Sequence, residues 1–418
     1  MNDASAQGVA ARWEDAWLLE GVRTPFVDYN GAFALVSPTD LAIKAARAVL
    51  ARARAPADAV GSVITGNMAQ ASFDAYMLPR HVGLYAGVPQ AVPAMMVQRV
   101  CGTGIEAIMQ GADQTVQRDV DLALCVGTES MSRNPVAAYT HRGGFRMGQV
   151  EFKDFLWEAL HDPAADVTMG GTAENLARRY DIRREDVDAY AARSFQRALA
   201  AREAGFFEAE IIAVGDEVFA VDGLRPRGIA LPRGTAPMAE DTHVRPSSVE
   251  ALARIRPAFG GVQTGGNSSA VVDGAAAALV CSGAFLRRHS GPALARLVAG
   301  VAVGCAPEIM GIGPAPAIRA LLARTGLGLG DIDRIEINEA FGAQVLACVR
   351  ELGLDEARLN VNGGAIAIGH PLGATGVRLA VTLARELRRA GLRRGIASAC
   401  IGGGQGIALL VENPEFPR

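Results

Sequence analysis

At 418 residues the chain is too long for one ordinary core and points to two or three domains, or to one fused pair. Half of the residues are hydrophobic and 20% are charged, so the chain is globular with a large core, and a net charge of −3 with 6% aromatics offers nucleic acid neither charge nor stacking surface. The six cysteines, Cys101, Cys125, Cys281, Cys305, Cys348 and Cys400, are scattered without a CxxC pair, which argues for reduced thiols and against a disulfide framework or structural zinc.

Residues 1–15 are polar, carry acids and lack the apolar core of a signal peptide, so a flexible extension is expected there. No apolar run reaches bilayer length, and the cytoplasm is the default expectation. Residues 16–21 then read as a strand, 39–54 as an amphipathic helix, 62–66 and 94–98 as strands, 101–118 as a helix behind Cys101, and 122–127 as a strand. Strands alternating with helices at this spacing predict parallel pairing with helical crossovers. From 128 to 257 the texture changes to helical pieces, including 172–180 and 184–204, broken by Gly- and Pro-rich segments. An insertion of this length inside an α/β domain usually acts as a lid or binding subdomain.

After residue 260 the α/β rhythm resumes and the chain repeats itself. LLEGV at 18–22 returns as LVAGV at 297–301, and the segment ending at Asn67 returns in the one ending at Asn338. The Gly turn, helix and strand of 101–127 are echoed by 369–402. The order of the matches is kept, so two similar halves pack together and can form a shared site from their strand-to-helix loops.

Four segments combine small and reactive residues at strand ends or helix starts: Cys101-Gly-Thr-Gly, Asn338-Glu-Ala-Phe, GHPLGATG at 369–376, and CIGGGQG at 400–406. Glycines at this density let backbone amides approach a ligand. Taken alone Cys101 reads first as a core cysteine rather than a reactive one, but a thiol at a helix start is expected to have its pKa lowered by the free N–H groups of the first turn. Of the six histidines, only His370 lies in such a loop, where it suits the role of base to a nucleophilic cysteine, and no two histidines have metal-ligand spacing.

These segments resemble the thiolase family, and the likeness runs from Trp17 to Glu412. It also takes in GTESMS at 127–132, MGGTAEN at 169–175, GNSS at 266–269 and MGIGPAP at 310–316. The resemblance implies duplicated α/β halves in a layered α-β-α-β-α arrangement with an inserted helical loop domain. Residues 16–127 would open the N-terminal half, 128–257 form a CoA-binding loop domain, 258–291 complete that half, and 292–418 form the C-terminal half.

The implied reaction is CoA-dependent cleavage of a 3-oxoacyl-CoA, or its reverse Claisen condensation, through an acyl-enzyme. Cys101 would carry the acyl group, His370 would deprotonate it, and Cys400 would move the enolate proton. Asn338 with His370 would form one oxyanion hole, and the N–H groups of Cys101 and Gly402 the other. Leu156, Met169, Ser269, Met310 and Phe341 would line the pantetheine channel. CoA enters as substrate, no resident cofactor is implied, and the family's oligomers imply a homodimer or homotetramer.

The sequence departs from short-chain biosynthetic members at Thr168, where they often have histidine, at Gln405, where they often have methionine, and in the unusual segment 67–85. These departures bear on acyl-chain preference. A ketoacyl-synthase type of condensing enzyme and an idle CoA-binding scaffold remain as alternatives. The presence of Cys400 weighs against the first, and the presence of all four reactive residues weighs against the second.

Overall fold

The computed structural model describes residues 8–70, 72–117, 120–138, 143–289 and 291–417. The first half opens with β1 (Val9–Arg23), α1 (Pro38–Ala53), β2 (Ser62–Gly66), α2 (Leu78–Tyr85), β3 (Ala94–Val97), α3 (Thr103–Gln117) and β4 (Leu122–Glu129). The insertion follows with α4 (Met169–Arg179) and α5 (Arg184–Glu203), after which β5 (Val272–Ser282) completes the half. The second half is β6 (Ala295–Gly304), α6 (Pro314–Thr325), β7 (Arg334–Ile337), α7 (Gly342–Leu352), α8 (Leu372–Arg389), β8 (Arg394–Ile401) and β9 (Gln405–Glu412).

Period-two alternation sorts the strand side chains into two cores. Along β4, Leu122, Leu124 and Val126 pack with Leu41 and Val49 of α1 on the outer face. The intervening Ala123 and Cys125 join Ile105 and Ile108 of α3 on the inner face. Helices α1 and α2 cover the outside of the first half, α6 covers the outside of the second, and α3 and α8 lie side by side between them. The result is the expected α-β-α-β-α layering. At the centre the two inner helices touch backbone to backbone: a Cβ on Gly104 would lie 2.5 Å from the Val377 amide nitrogen, and one on Gly376 would lie 2.2 Å from that of Ile105.

The strand order is β7-β8-β9-β6-β1-β5-β4-β2-β3. Parallel pairing holds for β2 with β3 and β4, and for β7 with β8. The three strands expected to pair in parallel, at 62–66, 94–98 and 122–127, therefore do so, whereas the other pairs along this path are antiparallel. The cause is local at β8 and β9, which are joined by the glycine turn 402–404, too short for a parallel crossover.

The expected extension over residues 1–15 is corrected, because β1 already begins at Val9. Val9–Arg12 pairs with Ala299–Ala302, and Trp13 is buried with its indole N–H donated to Asp113 at 2.7 Å. A register shift between Arg12 and Ala16 breaks the alternation that would have revealed this stretch as strand.

The internal repeat is real in three dimensions. The matched segments LLEGV and LVAGV fall on β1 and β6, which pair directly, Ala16 opposite Leu297 and Leu18 opposite Ala295. A 3₁₀ turn precedes β2 and its following Asn67, and another precedes β7 and its following Asn338. Besides helices the insertion contains, among the described residues, three short antiparallel strand pairs, 136–137 with 153–154, 161–162 with 167–168, and 217–219 with 227–229. It is tied to the second half by buried Glu339, which accepts from Tyr190 Oη at 2.8 Å and Ser194 Oγ at 2.6 Å, both on α5. Among the described residues, no helix is long and apolar enough to cross a membrane.

Candidate active site

The chain reaches Cys101 through a tight elbow after β3. Val100 takes a φ of 44°, a left-handed conformation unfavourable for a β-branched residue. Thr103 holds it there: its hydroxyl donates to the Val100 carbonyl at 2.6 Å and accepts from the Arg99 amide at 2.9 Å. Gly102 then lies against the facing loop, where an added Cβ would come within 2.6 Å of Ile401. The two glycine-rich cysteine loops therefore meet across the seam between the halves.

The Cys101 thiol is pushed up to about 11, because burial outweighs the backbone N–H groups of Gly402 and of Cys101 itself, while the charge of Glu129 adds to the rise. This corrects the expectation of a lowered pKa. The helix-start donors are present, but desolvation of the anion is the larger effect. Cys101 therefore rests as a thiol, which only a base would ionise near neutral pH.

His370, the expected base, lines the neighbouring cleft. Its Nδ1 lies 2.6 Å from Thr375 Oγ1, and that hydroxyl donates to the Pro371 carbonyl at 3.0 Å. With its single hydrogen engaged, Oγ1 accepts from Nδ1–H, which leaves Nε2 unprotonated. Asn338 Nδ2 reaches Nε2 at 3.2 Å, while Asn338 Oδ1 is buried without a protein partner. Burial, reinforced by the Arg378 cation, lowers the imidazole pKa to about 3, so it is neutral at physiological pH.

Cys400, one residue before the end of β8, is fully buried beside Met169, Met310 and Ala340. Burial and then the neighbouring Cys101 push its thiol well above the ordinary value. Gly403 and Gly404 take φ of 83° and 85°, and Gly402 faces Met169 Sδ, 3.2 Å from where a Cβ would stand. A side chain at 402 would crowd the donor that faces Cys101.

A largely apolar cleft of about 200 Å³ opens beside this group and is lined by His370, Met169, Ser269, Phe341, Trp157 and Leu372, among others. Leu372 and Met131 belong both to its wall and to the packing around Cys101. Of the five expected channel residues, Met169, Ser269 and Phe341 line the cleft. Leu156 packs toward Cys101, and Met310 is buried against Cys400. Backbone bonds from Ser269 N to Ala340 O at 3.0 Å and from His370 N to Ala270 O at 3.0 Å stitch the loops together.

The departures have visible roles. Thr168 caps α4, its hydroxyl accepting from the Gly171 amide at 3.1 Å. Gln405 accepts from Arg99 at 3.3 Å, just before the nucleophile. Asn67, Met68 and Ala69 wrap around Glu129. The remaining described histidines lie elsewhere: His161 beside Asp166, His243 beside Asp28, His289 against Phe285 and His81 against Tyr85. His141 lies outside the described residues, as does Arg118 at the expected end of α3. Sequence reasoning did not single out Thr375 or Glu129. Thr375 carried a signal, since it follows His370 by five residues within GHPLGATG.

A buried thiol facing backbone donors, a neutral imidazole and a second thiol at a glycine turn, set at the seam of a duplicated α/β fold, define an enzyme equipped for acyl transfer. The chain belongs to the thiolase family: the family's N-terminal domain matches residues 17–284 and its C-terminal domain residues 292–413. It is 43% identical over 406 residues to the mitochondrial 3-ketoacyl-CoA thiolase of Bos taurus, covering 95% of this chain and 99% of that protein. It is 40% identical over 402 residues to an acetyl-CoA acetyltransferase of Pseudomonas aeruginosa, covering 95% and 98%. The crystal structure of human mitochondrial 3-ketoacyl-CoA thiolase superimposes with a TM-score of 0.91 at 41% identity, covering 97% of this chain and all of that one. A structure of the same human protein in complex with CoA gives 0.90 at 41% identity, covering 96% and 98%.

Proposed function

We propose that this thiolase cleaves 3-oxoacyl-CoA with free CoA, or condenses an acyl-CoA with acetyl-CoA, through an acyl group carried on Cys101. The observation that supports this best is the meeting of Cys101 with the Gly402 N–H, beside a cleft that holds neutral His370. In the degradative direction His370 Nε2 takes the Cys101 proton and the thiolate attacks the 3-oxo carbon. The bond between C2 and C3 breaks, and Cys400 gives its proton to the acetyl-CoA enolate. A second CoA thiol gives its proton to the Cys400 thiolate and attacks the acyl-cysteine, and the shortened acyl-CoA leaves as protonated His370 returns its proton to the Cys101 thiolate.

Charge develops on oxygen in both half-reactions. His370 with Asn338 suits one oxyanion, and the amides of Cys101 and Gly402 suit the other. Met169, Ser269 and Phe341 take the thin pantetheine tether, with Leu156 and Met310 shaping the walls behind. The residues named move every proton, so no resident cofactor or metal is invoked. We place the enzyme in a reducing compartment, the cytoplasm, on the strength of six free cysteines. We also expect a homodimer or homotetramer, with partner copies covering exposed Phe73, Tyr76 and Met77 near the sheet edge at β3.

The test is to incubate the protein with acetoacetyl-CoA and longer 3-oxoacyl-CoA esters plus CoA while following the 3-oxoacyl absorbance. Loss of absorbance at some chain length is expected. Folded protein that acts on none of them refutes the reading, and favours the idle scaffold if it still binds CoA esters.

A further inference from the structure

Glu129, the last residue of β4, is 1% exposed and accepts four hydrogen bonds on one carboxylate. Oε1 takes Asn67 Nδ2 at 3.0 Å and the Ala69 amide at 3.2 Å, and Oε2 takes the Met68 amide at 3.0 Å and the Gly373 amide at 2.9 Å. Three of these donors belong to the loop whose Met68 packs against Cys101. The fourth is a first-turn amide of α8, three residues beyond His370. That amide lacks an intrahelical partner and lies at the positive end of an eighteen-residue helix.

We infer that Glu129 is a positioning residue for the thiolase reaction: it clamps the first turn of α8 to the loop of residues 67–69 and so fixes how Cys101 and His370 face each other. This rests on the roles given to those two residues above. The clamp sits where the halves are packed too closely for any side chain. A Cβ on Gly127 would lie 2.1 Å from the Gly373 carbonyl oxygen, and one on Gly373 would lie 2.6 Å from the Thr128 carbonyl oxygen. Only an acceptor reaching around that contact can satisfy all four donors. A glutamine cannot, because its amide nitrogen would face two N–H groups. Burial pushes the Glu129 carboxyl up to about 7 against the pull of those donors, so above that pH it also brings negative charge toward Cys101, which opposes thiolate formation.

The test compares wild type with Glu129→Gln and Asn67→Ala, measuring kcat, KM and the rate at which iodoacetamide alkylates Cys101 at pH 8. In Glu129→Gln, kcat should fall about 10-fold or more with KM changed by less than about 3-fold, as loss of a charged hydrogen bond acting on geometry implies. Alkylation should speed up about 3-fold, because the opposing charge is gone. Asn67→Ala, which removes one donor and keeps the charge, should lower kcat by less and leave alkylation little changed. Folded Glu129→Gln with unchanged kcat, or with activity tracking only the folded fraction and alkylation unaltered, overturns the proposal. If Glu129→Gln does not fold, an unchanged kcat in Asn67→Ala overturns it. Absence of turnover in wild type would instead strike at the thiolase reaction itself.

Discussion

The Thr375 hydroxyl oxygen lies 2.6 Å from His370 Nδ1 and fixes the histidine as the tautomer whose Nε2 is free to take a proton. Thr375→Val keeps the shape and removes the acceptor, so Nε2–H becomes as accessible as Nδ1–H. Loss of one such bond costs about 1–2 kcal/mol, so kcat should fall about 10-fold while KM stays nearly constant. Steady-state kinetics checks this, with Thr375→Ser restoring most of the rate.

The two cysteines should separate the half-reactions. Cys101→Ser should take no acyl label from acetyl-CoA, whereas Cys400→Ser should take the label and fail to turn over. Mass spectrometry of the labelled peptide decides, and a label on Cys400 would exchange their roles.

His370 also links stability to pH. Its pKa is about 3 when folded and 6.5 when free, so the unfolded chain binds the extra proton between those values. The stability contributed by keeping this group neutral is present above pH 6.5 and is lost as the pH falls toward 3. A His370→Gln protein should show a shallower decline in melting temperature between pH 6.5 and 4 than wild type, which calorimetry across that range would reveal.

Gly376→Ala tests the seam. The new methyl would lie 2.2 Å from a backbone nitrogen of the facing helix, which cannot yield as a side chain tip would. Overpacking of this kind costs about 1–3 kcal/mol and displaces α8, so chemical denaturation should show lower stability and assays a fall in kcat out of proportion to it.

The sequence was most legible where chemistry and conformation coincide. Cys101, Asn338, His370 and Cys400 lie in loops whose glycines are needed for turns and close approaches, and these loops stand out without coordinates. The parallel pairs at 62–66, 94–98 and 122–127 were legible from their helical crossovers, but the antiparallel pairs through β1, β5, β6 and β9 were not, because period-two burial is the same in both. The thiol pKa was misjudged for a related reason. A helix start can be read from Gly-Thr-Gly, but the depth of burial that overrides it depends on Met68, Met131 and Leu372, which come from three distant segments. Glu129 was hidden because its partners, at 67–69 and 373, meet only once the halves have packed.

Pairing of β1 with β6 and the backbone contact at Gly104 and Gly376 leave the two repeats without a hinge between them. A substrate as long as a CoA ester must enter and leave this frame without the halves parting. The insertion reaches the cleft through Trp157, Leu160 and Met169. In mechanical terms the duplicated frame is the anvil on which the thiols are held, and the insertion is the wall that faces them across the cleft.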